Sequence, residues 1–391
     1  MKITSNLKRH QSVFLISILL VCISCSPKKD FDFVVEDVKL FDGNRVFEHA
    51  NVYVKNGLIA KIDTFKIEID CKYKYLINGN NKTLIPGLIN AHTHPQSRKD
   101  LNDAAKAGIL TMMDLLLIVE DSIPVFKSLG ETSNYANYFS SGIGADMPNA
   151  VIKSYIQEPN PYAPLTKKDV ELFIADRIKN KVDFIKIFQD SRLKEKFSDS
   201  IFDKIISEVH KNKLLAIVHS ETLKDTRYEF QHGADIIAHG WIDSLISDDE
   251  LSKWKQREFY IIPTLLVHTS VKKQFNPKSY TLTEEQIIGE IGRLYKGGIT
   301  LLAGSDSPAD NLNFTTDFYK ELELYVKAGM SPIDALKTAT INPAKAFKLK
   351  DKGIIKEGKS ADLALVDGDL LNDITKLNKV EAVWKKGARI R

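Results

Sequence analysis

The sequence predicts an α/β protein, a (β/α)8 TIM barrel flanked by a small β-sandwich that draws on both chain ends. Three observations carry this prediction: apolar strand-like runs alternating with helical patterns through the middle of the chain, short alternating strands near its start, and the same texture at its end. With 391 residues and 43% hydrophobic content, the chain can bury a large core, and its length suits one large domain and a smaller one.

The first segment stands outside that fold. Lys2, Lys8 and Arg9 precede a mostly apolar run over 13–23 that is too short to span a membrane comfortably, the pattern of a signal peptide over 1–24. Ser24-Cys25 resembles a bacterial lipoprotein cleavage site, in which Cys25 becomes the lipidated N-terminus. The expected protein is exported, periplasmic or at the cell surface, and reaches a bacterial membrane only through that lipid anchor. Subtracting the three leader cations from 55 Lys+Arg leaves 52 against 51 acids, a net charge of about +1, so there is no basic excess for nucleic acid or anionic lipid. Beside Cys25 only Cys71 remains, and no intramolecular disulfide is expected.

From 33 to 69, Asp42-Gly43-Asn44 and Lys55-Asn56-Gly57 are turn signals between Val/Ile/Tyr-rich runs. At the other end, Lys356-Glu357-Gly358 leads into the apolar run 361–366, and 380–390 reads as a further strand pair. The two ends are expected to pair into one composite β-sandwich domain from 25–83 and 353–391. The barrel domain then occupies 84–352, with strands predicted at 83–89, 109–114, 135–140, 184–188, 214–219, 236–239, 260–265 and 299–303. Near its end, Ser331-Pro332-Ile333-Asp334 supplies a helix N-cap, a first-position proline and a first-turn acid.

Chemistry-bearing residues fall at the ends of these strands, where barrel enzymes place catalytic groups. His92 and His94 are two apart, so on an extended strand both imidazoles face one way and can converge on one ion. Lys186 sits inside the apolar run 184–188, where an inward-facing ammonium is costly; a neutral amine there can capture carbon dioxide as a carbamate, an anionic ligand able to bridge two cations. His219 and His239 each end a strand, one βα unit apart, and Asp306 follows the last strand, where a carboxylate can bind metal and accept a proton from water.

Taken together, Ile85-Pro86-Gly87-Leu88-Ile89-Asn90-Ala91-His92-Thr93-His94, Gly233-Ala234-Asp235-Ile236-Ile237-Ala238-His239-Gly240, Ala303-Gly304-Ser305-Asp306 and the tail Asn342-Pro343-Ala344 through Gly358-Lys359-Ser360-Ala361-Asp362-Leu363 resemble the amidohydrolase superfamily. The resemblance is to its imidazolonepropionase-like and Xaa-Pro dipeptidase-like branch. It implies one or two divalent ions, usually zinc. His92, His94 and Asp306 would hold one and His219 and His239 the other, with N6-carboxylated Lys186 bridging them. It also implies hydrolysis of an amide C–N bond by an activated hydroxide, with Asp306 as general base and His239 assisting.

Substrate choice would lie in the loops. The segment 142–164, with Asp146, Tyr155 and Tyr162, is long enough for a lid, Arg227 and Tyr228 can bind a substrate carboxylate as groups in this loop do in similar dipeptidases, and His268 can face the pocket. The expected partner is a small dipeptide or N-acyl amino acid; a cyclic amide such as an imidazolone is the alternative. Homo-oligomerisation is left open. A non-catalytic ligand-binding lipoprotein ranks last, because every expected ligand position is filled.

Overall fold

The structure, a computed structural model, describes residues 30–65, 68–192, 195–271 and 280–391; the signal peptide and Cys25 fall outside them. The start of the chain supplies β1 (Asp30–Phe41), β2 (Val46–Lys55), β3 (Leu58–Asp63), β4 (Lys72–Asn78) and β5 (Lys82–Pro86). Eight strands follow in the middle: β6 (Leu88–Thr93), β7 (Ile109–Asp114), β8 (Asn137–Ser140), β9 (Ile185–Phe188), β10 (Ala216–Ser220), β11 (Ile236–His239), β12 (Tyr260–Ile262) and β13 (Thr300–Leu301). The chain ends with β14 (Leu363–Asp367), β15 (Val380–Lys385) and β16 (Ala388–Arg389).

All the pairings among β6 to β13 are parallel, β6 through β8 in one sheet and β9 through β13 in the other. The sheets are joined at both edges. Ala145, beyond β8, bridges Ile187, while Thr93 bridges Ser307 beyond β13 and Ala91 N donates to Ala303 O at 2.8 Å. A ring of parallel strands in chain order results. Each strand leads into a helix, from Arg98–Lys106 after β6 to Thr316–Lys327 after β13. Their N-termini are fixed by the sequence: Ser97 with Asp100, Thr166 with Asp169 and Thr283 with Gln286 form reciprocal capping boxes, and Ser331 caps the helix starting at Pro332 as predicted.

The expected sandwich takes a different form. Both chain ends contribute to one mixed sheet in the order β16-β15-β14-β5-β1-β2-β3, with β4 also pairing to β1 in parallel. Three strand steps separate β1 from β15, about 14 Å in a flat sheet, yet the rings of Phe33 and Trp384 stack at 5.2 Å. The sheet therefore curls, bending at register shifts in β1 between Val35 and Leu40. Val35, Val52, Leu84 and Leu365 are among the buried core inside the curl.

The predicted first barrel strand, 83–89, is in fact two strands. β5 pairs with β1 and β14 in the end sheet, and the barrel begins only at β6. Gly87 is the joint: its N–H donates to Asp362 O at 2.9 Å, and a Cβ here would lie 2.6 Å from Leu110 Cδ1. A chain crossing from sheet to barrel at such close approach needs glycine.

Candidate metal centre

β6 carries Asn90 and His92, both buried, with His94 just beyond its end. Asn90 ties this strand to the loop after β13, donating from Nδ2 to Ser305 Oγ at 2.8 Å and accepting from Ser305 N at 3.2 Å. The same loop passes so close that a Cβ at Gly304 would lie 2.6 Å from His92 Cβ, so Ala303-Gly304-Ser305 can deliver Asp306 against the two histidines.

His92 Nε2 lies 3.1 Å and His94 Nε2 3.0 Å from the same Asp306 oxygen, Oδ1. These two nitrogens and one carboxylate oxygen fall within 4.8 Å of one another, a spacing suited to a single ion with ligands at about 2.0–2.2 Å. The other imidazoles continue the row: ring centroids are 4.7 Å apart for His92 and His239 and 4.6 Å for His239 and His219. Lys186, 2% exposed on β9, lines the same cavity with its Nζ 5.6 Å from the Phe188 ring. The structure thus gathers His92, His94, Lys186, His219, His239 and Asp306 around one cavity of about 840 Å³.

Two of these residues have unusual backbones. His239 has φ +80° and Asp306 φ +57°, left-handed conformations that non-glycine residues rarely adopt and that collect at functional sites. Thr264 is a third case at φ +43°, costlier because it is β-branched; its Oγ1 lies 3.0 Å from His239 Nδ1. The buried carboxylate of Glu321 holds that turn by accepting from Leu265 N at 2.8 Å and Leu266 N at 2.7 Å. Burial pushes Glu321 up to about 7 against the pull of those two N–H groups.

Electrostatics separate the paired histidines. Burial drives His92 down to about 3, leaving it a neutral imidazole with a lone pair to give. Burial acts on His94 too, but hydrogen bonds to Asp114 and Asp306 outweigh it and raise His94 to about 9. Asp306 is held well below the carboxylate range because His92 and His239 overcome the burial that would raise it.

Asp114 was not among the predicted site residues, although it ends a predicted strand. Its Oδ1 lies 3.3 Å from His94 Nδ1 and its Oδ2 accepts from Tyr138 OH at 2.6 Å. This is the carboxylate–histidine arrangement that fixes the tautomer and orientation of a metal-ligating imidazole. Asp114→Asn is expected to weaken metal binding roughly 10- to 100-fold, measured by competition with a chromogenic chelator; unchanged affinity would deny Asp114 that role.

Two predicted substrate contacts, Arg227 and Tyr228, and one residue of the expected lid, Asp146, are engaged elsewhere. Arg227 points away from the cavity and forms a two-point pair with Glu250, Nε to Oε1 at 2.5 Å and Nη2 to Oε2 at 2.9 Å. Tyr228 packs on Phe202 and donates to Asp199 Oδ1 at 3.0 Å on the outer helical layer. Asp146, in the expected lid, is buried and accepts from Met147 N and Ile152 N, a structural anchor for the helix Val151–Ile156. Tyr155 does line the cavity, while Tyr162 lies against Arg177. His268 is buried 6.1 Å from His239, ring to ring, with its Nδ1 3.3 Å from Tyr280 OH.

The amidohydrolase family profile matches residues 83–390. The chain belongs to the amidohydrolase family. It is 26% identical over 375 residues to a 5-methylthioadenosine/S-adenosylhomocysteine deaminase of Thermoanaerobacter pseudethanolicus, a match covering 83% of this chain and 82% of that one. Among solved structures it is similar to a Xaa-Pro dipeptidase with bound methionine in the active site, with a TM-score of 0.78, 21% identity and coverage of 91% of this chain and 99% of that one. It is also similar to A. niger ochratoxinase, with a TM-score of 0.74, 16% identity and coverage of 92% and 95%. At those identities the structural likeness is one of fold.

Proposed function

We propose that this amidohydrolase is a metal-dependent enzyme that cleaves an amide C–N bond in a dipeptide or N-acyl amino acid. The observation that carries the reading is the convergence of five imidazole and carboxylate ligands with Lys186 on one cavity floor. The donor set fits divalent ions: His92, His94 and Asp306 present three ligand atoms to one point, and His239 and His219 adjoin them. Lys186 would bridge two ions as its carbamate, formed when the neutral amine adds carbon dioxide and releases one proton.

A divalent ion bound there would polarise the amide carbonyl and lower the pKa of a water toward roughly 7. Asp306 takes that water's proton at Oδ2, the oxygen turned from His92 and His94 toward His239, which lies 3.9 Å away at Nδ1. The same carboxyl then delivers the proton to the leaving nitrogen. His239, steadied by Thr264, keeps its ring beside that oxygen.

A second reading, hydrolytic deamination, is favoured by the sequence similarity to the Thermoanaerobacter deaminase; there too water displaces nitrogen from carbon. Assaying Xaa-Pro dipeptides, N-acyl amino acids, cyclic amides and aminopurine nucleosides side by side on the metal-loaded protein separates the two. Lys186→Ala tests the bridge: metal content should fall and partly recover with added acetate. Unchanged content and activity would remove Lys186 from the centre.

A further inference from the structure

The cavity extends well beyond the polar groups at its floor. Its lining includes the apolar run Leu116, Leu117, Ile118 and Val119, which follows β7, together with Val151 and Tyr155. Leu116, Ile118 and Val151 pack with Phe188 at the base in one apolar cluster, so the wall is continuous from the metal ligands outward. At the rim, Val119 and Tyr155 are each 63% exposed.

This wall is built rather than collapsed. Glu120, the next residue, is clamped by the buried guanidinium of Arg177 and accepts from Ile143 N at 2.7 Å, which fixes the run against the segment after β8. Asn90, Asp114 and Thr264 support the metal ligands through hydrogen bonds, while Phe188, at the base of the wall, packs beside Lys186 and His219. An apolar strip that opens from a polar floor to solvent is the usual form of a ligand site whose few polar groups orient and whose walls select.

We propose that this wall selects the substrate, and that the substrate carries an extended apolar group, aliphatic or aromatic, running from the scissile amide along Leu116, Ile118 and Val151 to the rim. The inference rests on the hydrolase reading and adds to it the character of the group beside the amide. Each methylene laid on the wall should strengthen binding about fourfold, the ratio that burial of one CH2 confers.

The test uses alkyl hydroxamates from acetyl to octanoyl, titrated calorimetrically into the full chain loaded with zinc, together with kcat/KM for the matching N-acylprolines. The hydroxamate head reports the metal centre and the chain reports the wall. Affinity rising about fourfold per methylene is the expected result. Val119→Asp and Tyr155→Asp, substitutions at exposed positions that spare the core, should flatten the rise for the longest members. If every chain length binds equally, the wall is overturned while the hydrolase reading stands. If none binds and no N-acylproline is cleaved, both fail. A rise that persists unchanged in both aspartate variants also overturns the wall.

Discussion

Asp306→Asn is expected to lower kcat/KM on the order of 10³-fold, the scale set by loss of a positioned acid–base group. The substitution preserves shape but removes the negative charge on which His92 and His94 both converge, at 3.1 and 3.0 Å from Oδ1. His94, raised to about 9 in part by this carboxylate, then loses one of its two acidic partners. The amide also lacks a site for the water's proton. Two measurements check this together: metal content by mass spectrometry and kcat/KM on the best substrate of the amide series. Content should fall as well as rate. Activity within tenfold of the parent would remove Asp306 from the chemistry.

Glu120→Ala should destabilise the fold by about 3 kcal/mol, the lower end of the cost of removing one partner from a buried ion pair. Arg177 is fully buried, and the wall-clamping Glu120 carboxylate is its main counter-charge; Asp176, its other acidic partner, is half exposed. The mutation also strips acceptors from Ile143 N and from Asn180 Nδ2. Urea unfolding measures the loss. The double variant Glu120→Ala/Arg177→Met should recover much of it, since the orphaned guanidinium is then gone. A single-mutant effect under about 1 kcal/mol, the range of surface pairs, would mean that water reaches Arg177.

Much of the site was legible because two regularities compound. The two-residue period of a strand puts His92 and His94 on one side, and the rule that barrels work at the C-terminal ends of strands gathers Lys186, His219, His239 and Asp306 from runs recognisable one at a time. Arg227 and Tyr228 escaped that logic because they sit on the helix Leu223–Gln231. Which face of that helix looks outward depends on Glu250 and Asp199, residues whose proximity no local pattern signals. The supports were hidden for the same reason. Asp114 meets Tyr138 only because β7 and β8 pair in parallel, and Glu321 reaches the Thr264 turn from a helix more than fifty residues later. The run 116–119 lies just beyond a predicted strand, and only the structure shows it lining the cavity. The break at Gly87 is hidden in the continuous apolar pattern of 83–89, because both halves are buried strands.

On the proposed function, hydrolysis depends on ions held by these six side chains. Its most direct test is turnover of the best amide substrate before chelation, after exhaustive chelation, and after stoichiometric return of zinc. Activity should be lost with the metal and return as up to two equivalents of zinc per chain are added. Undiminished turnover by protein free of metal would contradict it.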